Sequence, residues 1–210
     1  MKTNPSIILP ACLAVTGLFL SACGEKAAED SSATAESSDN SALAAYIVED
    51  AHTEVKQISE VFAKPDPGTE VVVGGEVMGS MNPFIDGRAM VVLGDPTKLT
   101  PCNRRPGDTC QTPWDVCCDL SETIKSSIAT IQLVDDEGKV IKSGLKGVEG
   151  IQELSYLTVS GTIADGSNAE NLLINAKEIY VADETPYKDA PPVSGHGSEE
   201  EHDHEEAAKE

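Results

Sequence analysis

Apolar positions repeat along this chain with two different periods, and the changes of period mark its elements. Leu43, Ile47, Ala51, Val55, Ile58 and Phe62 fall four or three residues apart, the stripe of an amphipathic helix. Ser41 stands where an N-cap is expected, and Lys64-Pro65-Asp66-Pro67-Gly68 would stop such a helix. The pattern therefore predicts an amphipathic helix and turn over 41–68, docked on the following domain or offered to a partner. After Gly68 the pattern becomes that of strands. EVVVGGEVM (70–78), RAMVVLG (88–94), SIATIQLVD (127–135), YLTVSGTI (156–163) and NLLINAKEIYVA (171–182) are rich in β-branched residues and end at turn residues. Gly74-Gly75 predicts a bend in the first strand. In the last, the set Leu172, Ile174, Ala176 slips parity to Ile179 and Val181, which predicts a bulge. Between the third and fourth strands Leu145, Val148, Ile151 and Leu154 return to helical spacing.

Three strands, a short helix and two more strands make a mainly β domain over 69–183, an ordinary size for one core. That order resembles the OB-fold, a small five-stranded barrel with its helix between strands 3 and 4. A β-sandwich is the alternative. In either case residues 101–119 become a long loop between the second and third strands.

The segments outside the domain differ from it in composition. Residues 1–22 carry Lys2 and then an apolar stretch from Ile7 to Leu20, ending in Leu20-Ser21-Ala22-Cys23. The stretch has the length and flanks of a secretory signal, and its end resembles the lipobox of bacterial lipoproteins. The resemblance implies removal of 1–22 and lipidation of Cys23, hence a membrane anchor. Gly24 and Glu25 follow Cys23, and the absence of Asp there leans toward the outer membrane, facing the periplasm. Residues 23–40 are rich in Ala, Ser and acidic residues and predict a disordered tether. Residues 184–210 predict a second disordered, acidic tail. In that tail His196, His202 and His204 lie among carboxylates, a set that would chelate Zn²⁺, Cu²⁺ or Ni²⁺ loosely if it does more than solubilise. No other cofactor is implied.

Charge then excludes one function class. The chain carries a formal net charge of -21. Residues 69–182 hold 9 Lys and Arg against 16 Asp and Glu, a net of -7, which repels phosphate and argues against nucleic acid as a partner. The four histidines are His52, on the predicted helix, and the three of the tail. No Ser or Cys of the domain has an evident base, so the reading is non-catalytic.

The remaining chemistry lies in PCNRRPGDTCQTPWDVCCD, residues 101–119. With Cys12 lost with the signal and Cys23 lipidated, the mature chain keeps Cys102, Cys110, Cys117 and Cys118. An oxidising compartment makes disulfides the default for them. The spacing lacks the C-x₂₋₄-C pairs of structural zinc sites, and pairing Cys117 with Cys118 would make a strained vicinal bond. Pairing each of Cys117 and Cys118 with Cys102 or Cys110 leaves two connectivities open. Trp114, Arg104 and Arg105 in this loop are a candidate surface for another envelope protein or a small ligand. The sequence thus reads as a non-catalytic envelope lipoprotein with a binding module. A metal-handling or redox protein, using the Cys loop or the His tail, is the rival.

Overall fold

The computed structural model describes residues 42–193. Seven strands run in chain order: β1 (Ile47–Val48), β2 (Lys56–Gln57), β3 (Glu70–Val77), β4 (Met90–Gly94), β5 (Ile128–Leu133), β6 (Tyr156–Ile163) and β7 (Leu173–Val181). The five long strands match the five sequence-predicted ones to within about three residues at each end. They close on themselves. β3 pairs antiparallel with β4, β4 antiparallel with β5, β5 parallel with β7, β7 antiparallel with β6, and β6 antiparallel with β3. A closed ring with one parallel contact between its third and fifth members is the OB-like arrangement, and closure leaves these strands no free edge.

The barrel closes because β3 changes partner along its length. Glu70 to Glu76 face β6, while Glu76 and Val77 face β4. Gly74 and Gly75 lie where that change occurs. A Cβ on Gly75 would stand 2.6 Å from Ile58 Cδ1 and 2.9 Å from the Gly94 carbonyl oxygen. Glycine there lets a neighbouring strand and a helix approach the backbone. The predicted bulge in the last strand is also present: Ser160 faces Glu178 but Gly161 faces Ala176, which leaves Lys177 unpaired on β7. Inside the ring, Val73, Val91, Leu93, Ile131, Leu133, Leu157, Val159, Ile174 and Ile179 are fully buried.

Two predicted helices take other forms. Residues 42–63 do not form one helix. β1 pairs in parallel with β7 at Ile179 and Tyr180, β2 pairs in parallel with β3 at Val73 and Gly74, and the α-helical residues are 42–44 and, after both strands, Ile58–Phe62. Glu54 between them has φ 55, outside the right-handed helical region. An isolated helix of this length is marginal in water, and strand pairing outcompetes it. Leu43, Ile58 and Phe62 of the apolar stripe still reach the core. The second helix, expected around 144–155, is a single 3₁₀ turn at Val148–Gly150. Gly147, Glu149, Gly150 and Leu154 all have positive φ, which a continuous right-handed helix does not allow. Leu145, Val148 and Ile151 are nonetheless buried. Their spacing records burial, with the chain coiling irregularly around it.

Gly161 tests this packing. A Cβ there would run into the Asn175 carbonyl oxygen and stand 3.0 Å from Ala176 Cα, both backbone. Gly161→Ala is expected to cost about 1–3 kcal/mol in urea unfolding, the range for forced overpacking. Gly144→Ala, where a new Cβ meets nothing within 4 Å, should stay within about 0.5 kcal/mol. Equal stability of the two variants would contradict the close approach of β6 and β7.

Candidate functional site

The connection between β4 and β5 begins at Asp95 and carries the cysteines. It is anchored rather than loose. Asp95 is fully buried. Its Oδ1 accepts from the Thr97 amide at 2.9 Å and hydroxyl at 2.6 Å, and its Oδ2 accepts from the Ser59 amide at 3.0 Å. Leu99 and Val116 then pack on Met78, with Ile124 and Ile128 against them, in a second small core. Two backbone bonds hold the arms of the loop together: the Cys102 amide donates to Asp115 O at 2.8 Å and the Asn103 amide to Pro113 O at 2.9 Å. Those bonds bring Cys102 against the 115–118 segment.

Both arginines of the loop point inward. Arg104 Nη2 donates to Glu76 Oε1 at 2.6 Å, and Arg105 Nη2 donates to Asp119 Oδ1 at 2.5 Å. Their side chains are only 10% and 12% exposed, against 0% and 3% for the carboxylates. The Thr185 hydroxyl also donates to Glu76 Oε1, and the Thr100 amide donates to Asp119 Oδ2 at 2.9 Å. Arg104 and Arg105, expected on an outer binding surface, are therefore committed to buried pairs. Burying a carboxylate on β3 or in the loop is tolerable only with such partners.

Trp114 stays half-buried, and its indole Nε1–H donates to the Met81 carbonyl at 2.9 Å. It hooks the long loop to the β3–β4 connection, where Met81 itself is 59% exposed.

The four cysteines meet at one place. Cys102 is 1% exposed and the other three are exposed. Cys102 Sγ lies 3.8 Å from Cys117 Sγ, and the sulfurs of Cys102, Cys117 and Cys118 are all within 4.8 Å of one another. In a second group, Cys102 Sγ, Cys110 Sγ and an Asp108 carboxylate oxygen lie within the same distance. No disulfide joins any of the four in this structure, where the sequence predicts two. A disulfide draws two sulfurs to about 2.05 Å; here Cys102 is a hub shared by both groups instead. Burial pushes the Cys102 thiol up, with its contacts to Cys117 and Cys110 adding to it. For Cys117 the Cys102 contact pulls down, but burial, the Asp115 carboxylate and Cys118 outweigh it and the net is upward. Cys110 is lowered, by the Thr112 hydroxyl and backbone. A cavity of about 380 Å³ lined by Arg105, Pro106, Gly107, Asp108, Cys118 and Pro192 opens beside the cluster.

Glu76 and Asp119 escaped the sequence reading as site residues. The signal for Glu76 was an acid inside the β-branched run of 70–78, on a strand face that needs a covering partner. His52 lies between β1 and β2, with Nδ1 2.8 Å from the Thr158 hydroxyl oxygen. Cys23, His196, His202 and His204 lie outside the described residues. No helix among the described residues is long and apolar enough to cross a membrane. No known family model matches the chain, and no curated protein matches it.

Two outcomes are expected here. Arg104→Ala leaves Glu76 buried and unpaired and should cost about 3–5 kcal/mol, whereas Arg104→Met with Glu76→Leu should recover most of that loss in chemical unfolding. Tyr156, whose ring centroid is 5.9 Å from that of Tyr187, is pushed up to about 12, first by burial and then by the charges of Tyr187, Asp95 and Glu76. An unfolded tyrosine ionises near pH 10. The folded state therefore holds its proton longer, and the stability this proton contributes, present in full below about pH 10, should be lost as pH rises from about 10 to 12. Tyr156→Phe should flatten that decline; an unchanged slope would rule out this source.

Proposed function

We propose that the protein is a lipid-anchored, non-catalytic binding module of the bacterial cell envelope, held through Cys23 at the outer membrane and facing the periplasm. The barrel is the scaffold and the long β4–β5 loop is the working surface. One observation carries the reading. Two buried arginine–carboxylate pairs fix this loop to β3 and to itself, so Trp114 and Met81 are presented at the surface on a pre-organised frame. Such a frame loses little ordering entropy on binding. A half-buried Trp beside an exposed Met is a surface suited to an apolar contact on another envelope protein or a small ligand.

A second reading, metal handling or thiol redox chemistry, is favoured by a separate observation: three sulfurs of the same loop converge on one point. His196, His202 and His204 would add a loose chelating tail to it.

Cys23→Ser is expected to move the protein from the membrane fraction to the soluble one. Retention at the membrane would refute the lipid anchor. A photoreactive residue at position 114 should give a discrete cross-linked product in intact envelopes, with the melting temperature unchanged. A folded variant that cross-links to nothing would overturn the partner-binding reading.

A further inference from the structure

We propose that Cys102, Cys117 and Cys118 form a three-thiolate site for a soft d¹⁰ cation, Zn²⁺ or Cu⁺. This deepens the metal-handling reading of the loop and rests on it, independently of the lipid anchor. The argument begins with sulfur geometry. A tetrahedral Zn²⁺ with Zn–S bonds of about 2.3 Å sets its sulfurs about 3.8 Å apart. The Cys102–Cys117 separation is 3.8 Å, and all three sulfurs lie within 4.8 Å of one another. A Cys102–Cys117 disulfide would leave Cys118 to pair with Cys110, yet Cys118 groups with Cys102 and Cys117 rather than with Cys110.

Pre-organisation comes next. Cys102 is fixed by the hydrogen bond that its backbone N–H donates to Asp115 O. The 116–119 end is fixed by Val116 in the second core and by Asp119, which accepts from Arg105 and from the Thr100 amide. The loop is thus pinned within two residues of each of the three sulfurs. Adjacent cysteines are an awkward pair of ligands in sequence, yet here both lie within 4.8 Å of Cys102 Sγ. Access is open, because Cys117 and Cys118 are exposed and the cavity lined by Asp108 and Cys118 adjoins them. The ligand set is all sulfur, which selects thiophilic cations over Mg²⁺ or Ca²⁺. Cys110 groups with Cys102 and Asp108 rather than with Cys117 and Cys118, and is outside the triad.

On binding, three thiol protons leave to solvent and three metal–sulfur bonds form, with no change of oxidation state. The fourth position of a tetrahedral ion stays open toward the exposed side, which suits a cation that is held and passed on.

The test uses the full mature chain, isolated without reductant and then again after reduction. Cd²⁺ is the probe, because thiolate ligation gives it an ultraviolet charge-transfer band that the histidine tail does not produce. One Cd²⁺ per chain is expected, displaced by Zn²⁺ in competition. Cys117→Ser and Cys118→Ser should each weaken binding by at least about tenfold, the lower end of what even an outer-shell change costs. Cys110→Ser should stay within about twofold. Cys118 is exposed, so its variant should fold even where Cys102→Ser fails. Absence of the band in the reduced chain, or loss confined to Cys110→Ser, would overturn the proposal. So would a Cys102–Cys117 disulfide in the chain as isolated. Fractionation of the same variants at the membrane reports on the anchor separately, so failure of one reading leaves the other standing.

Discussion

The arrangement depends on one buried charge. Glu76 stands on β3 at the residue where that strand leaves β6 and takes up β4, and its side chain is fully shielded from water. A lone carboxylate in that position would be costly to bury, by several kcal/mol even after relaxation. Arg104 from the long loop and Thr185 from beyond β7 both donate to the same oxygen. Three segments distant in sequence are thereby held at one point on the barrel wall. The pair contributes less as net attraction than as a constraint, since losing either member strands the other.

The thiol cluster follows from that constraint. With Arg104 drawn onto Glu76 and Arg105 onto Asp119, the residues between and beside them have little freedom. Cys102 immediately precedes this anchored stretch, and Cys117 and Cys118 immediately precede Asp119. The backbone bonds from Cys102 and Asn103 then align the two arms. Sulfur convergence is the result of salt-bridge register, with a small apolar cluster of Met78, Leu99 and Val116 as its floor. The same register places Trp114 where it can reach across to the β3–β4 connection. Trp114 and the converging sulfurs thus share one frame, with Trp114, Cys117 and Cys118 on one arm of the loop and Cys102 on the other.

Much of the barrel was legible in the chain. The five long strands appear where runs of β-branched residues stand between turn signals, because strand pairing and burial reward that pattern locally. The bulge at Lys177 was legible for the same reason, as a slip in parity. The helices were less so. Spacing of three or four records that Leu43, Ile58 and Phe62, or Leu145, Val148 and Ile151, share a side; it does not record the path between them. Edge pairing of β1 and β2 and the positive φ of Glu54, Gly147, Glu149 and Leu154 chose other paths.

The site divides along the same line. By itself the sequence determined the elements of the barrel, their order and the concentration of cysteines in one loop, because each follows from composition and spacing over short distances. Tertiary structure alone decided that Arg104 and Arg105 turn inward, that Cys102 is the hub, and that Cys118 joins Cys117 beside it. Those outcomes depend on which buried acid each arginine can reach. That is a long-range electrostatic match between Glu76 and a loop 28 residues away, and no local window of sequence contains both partners.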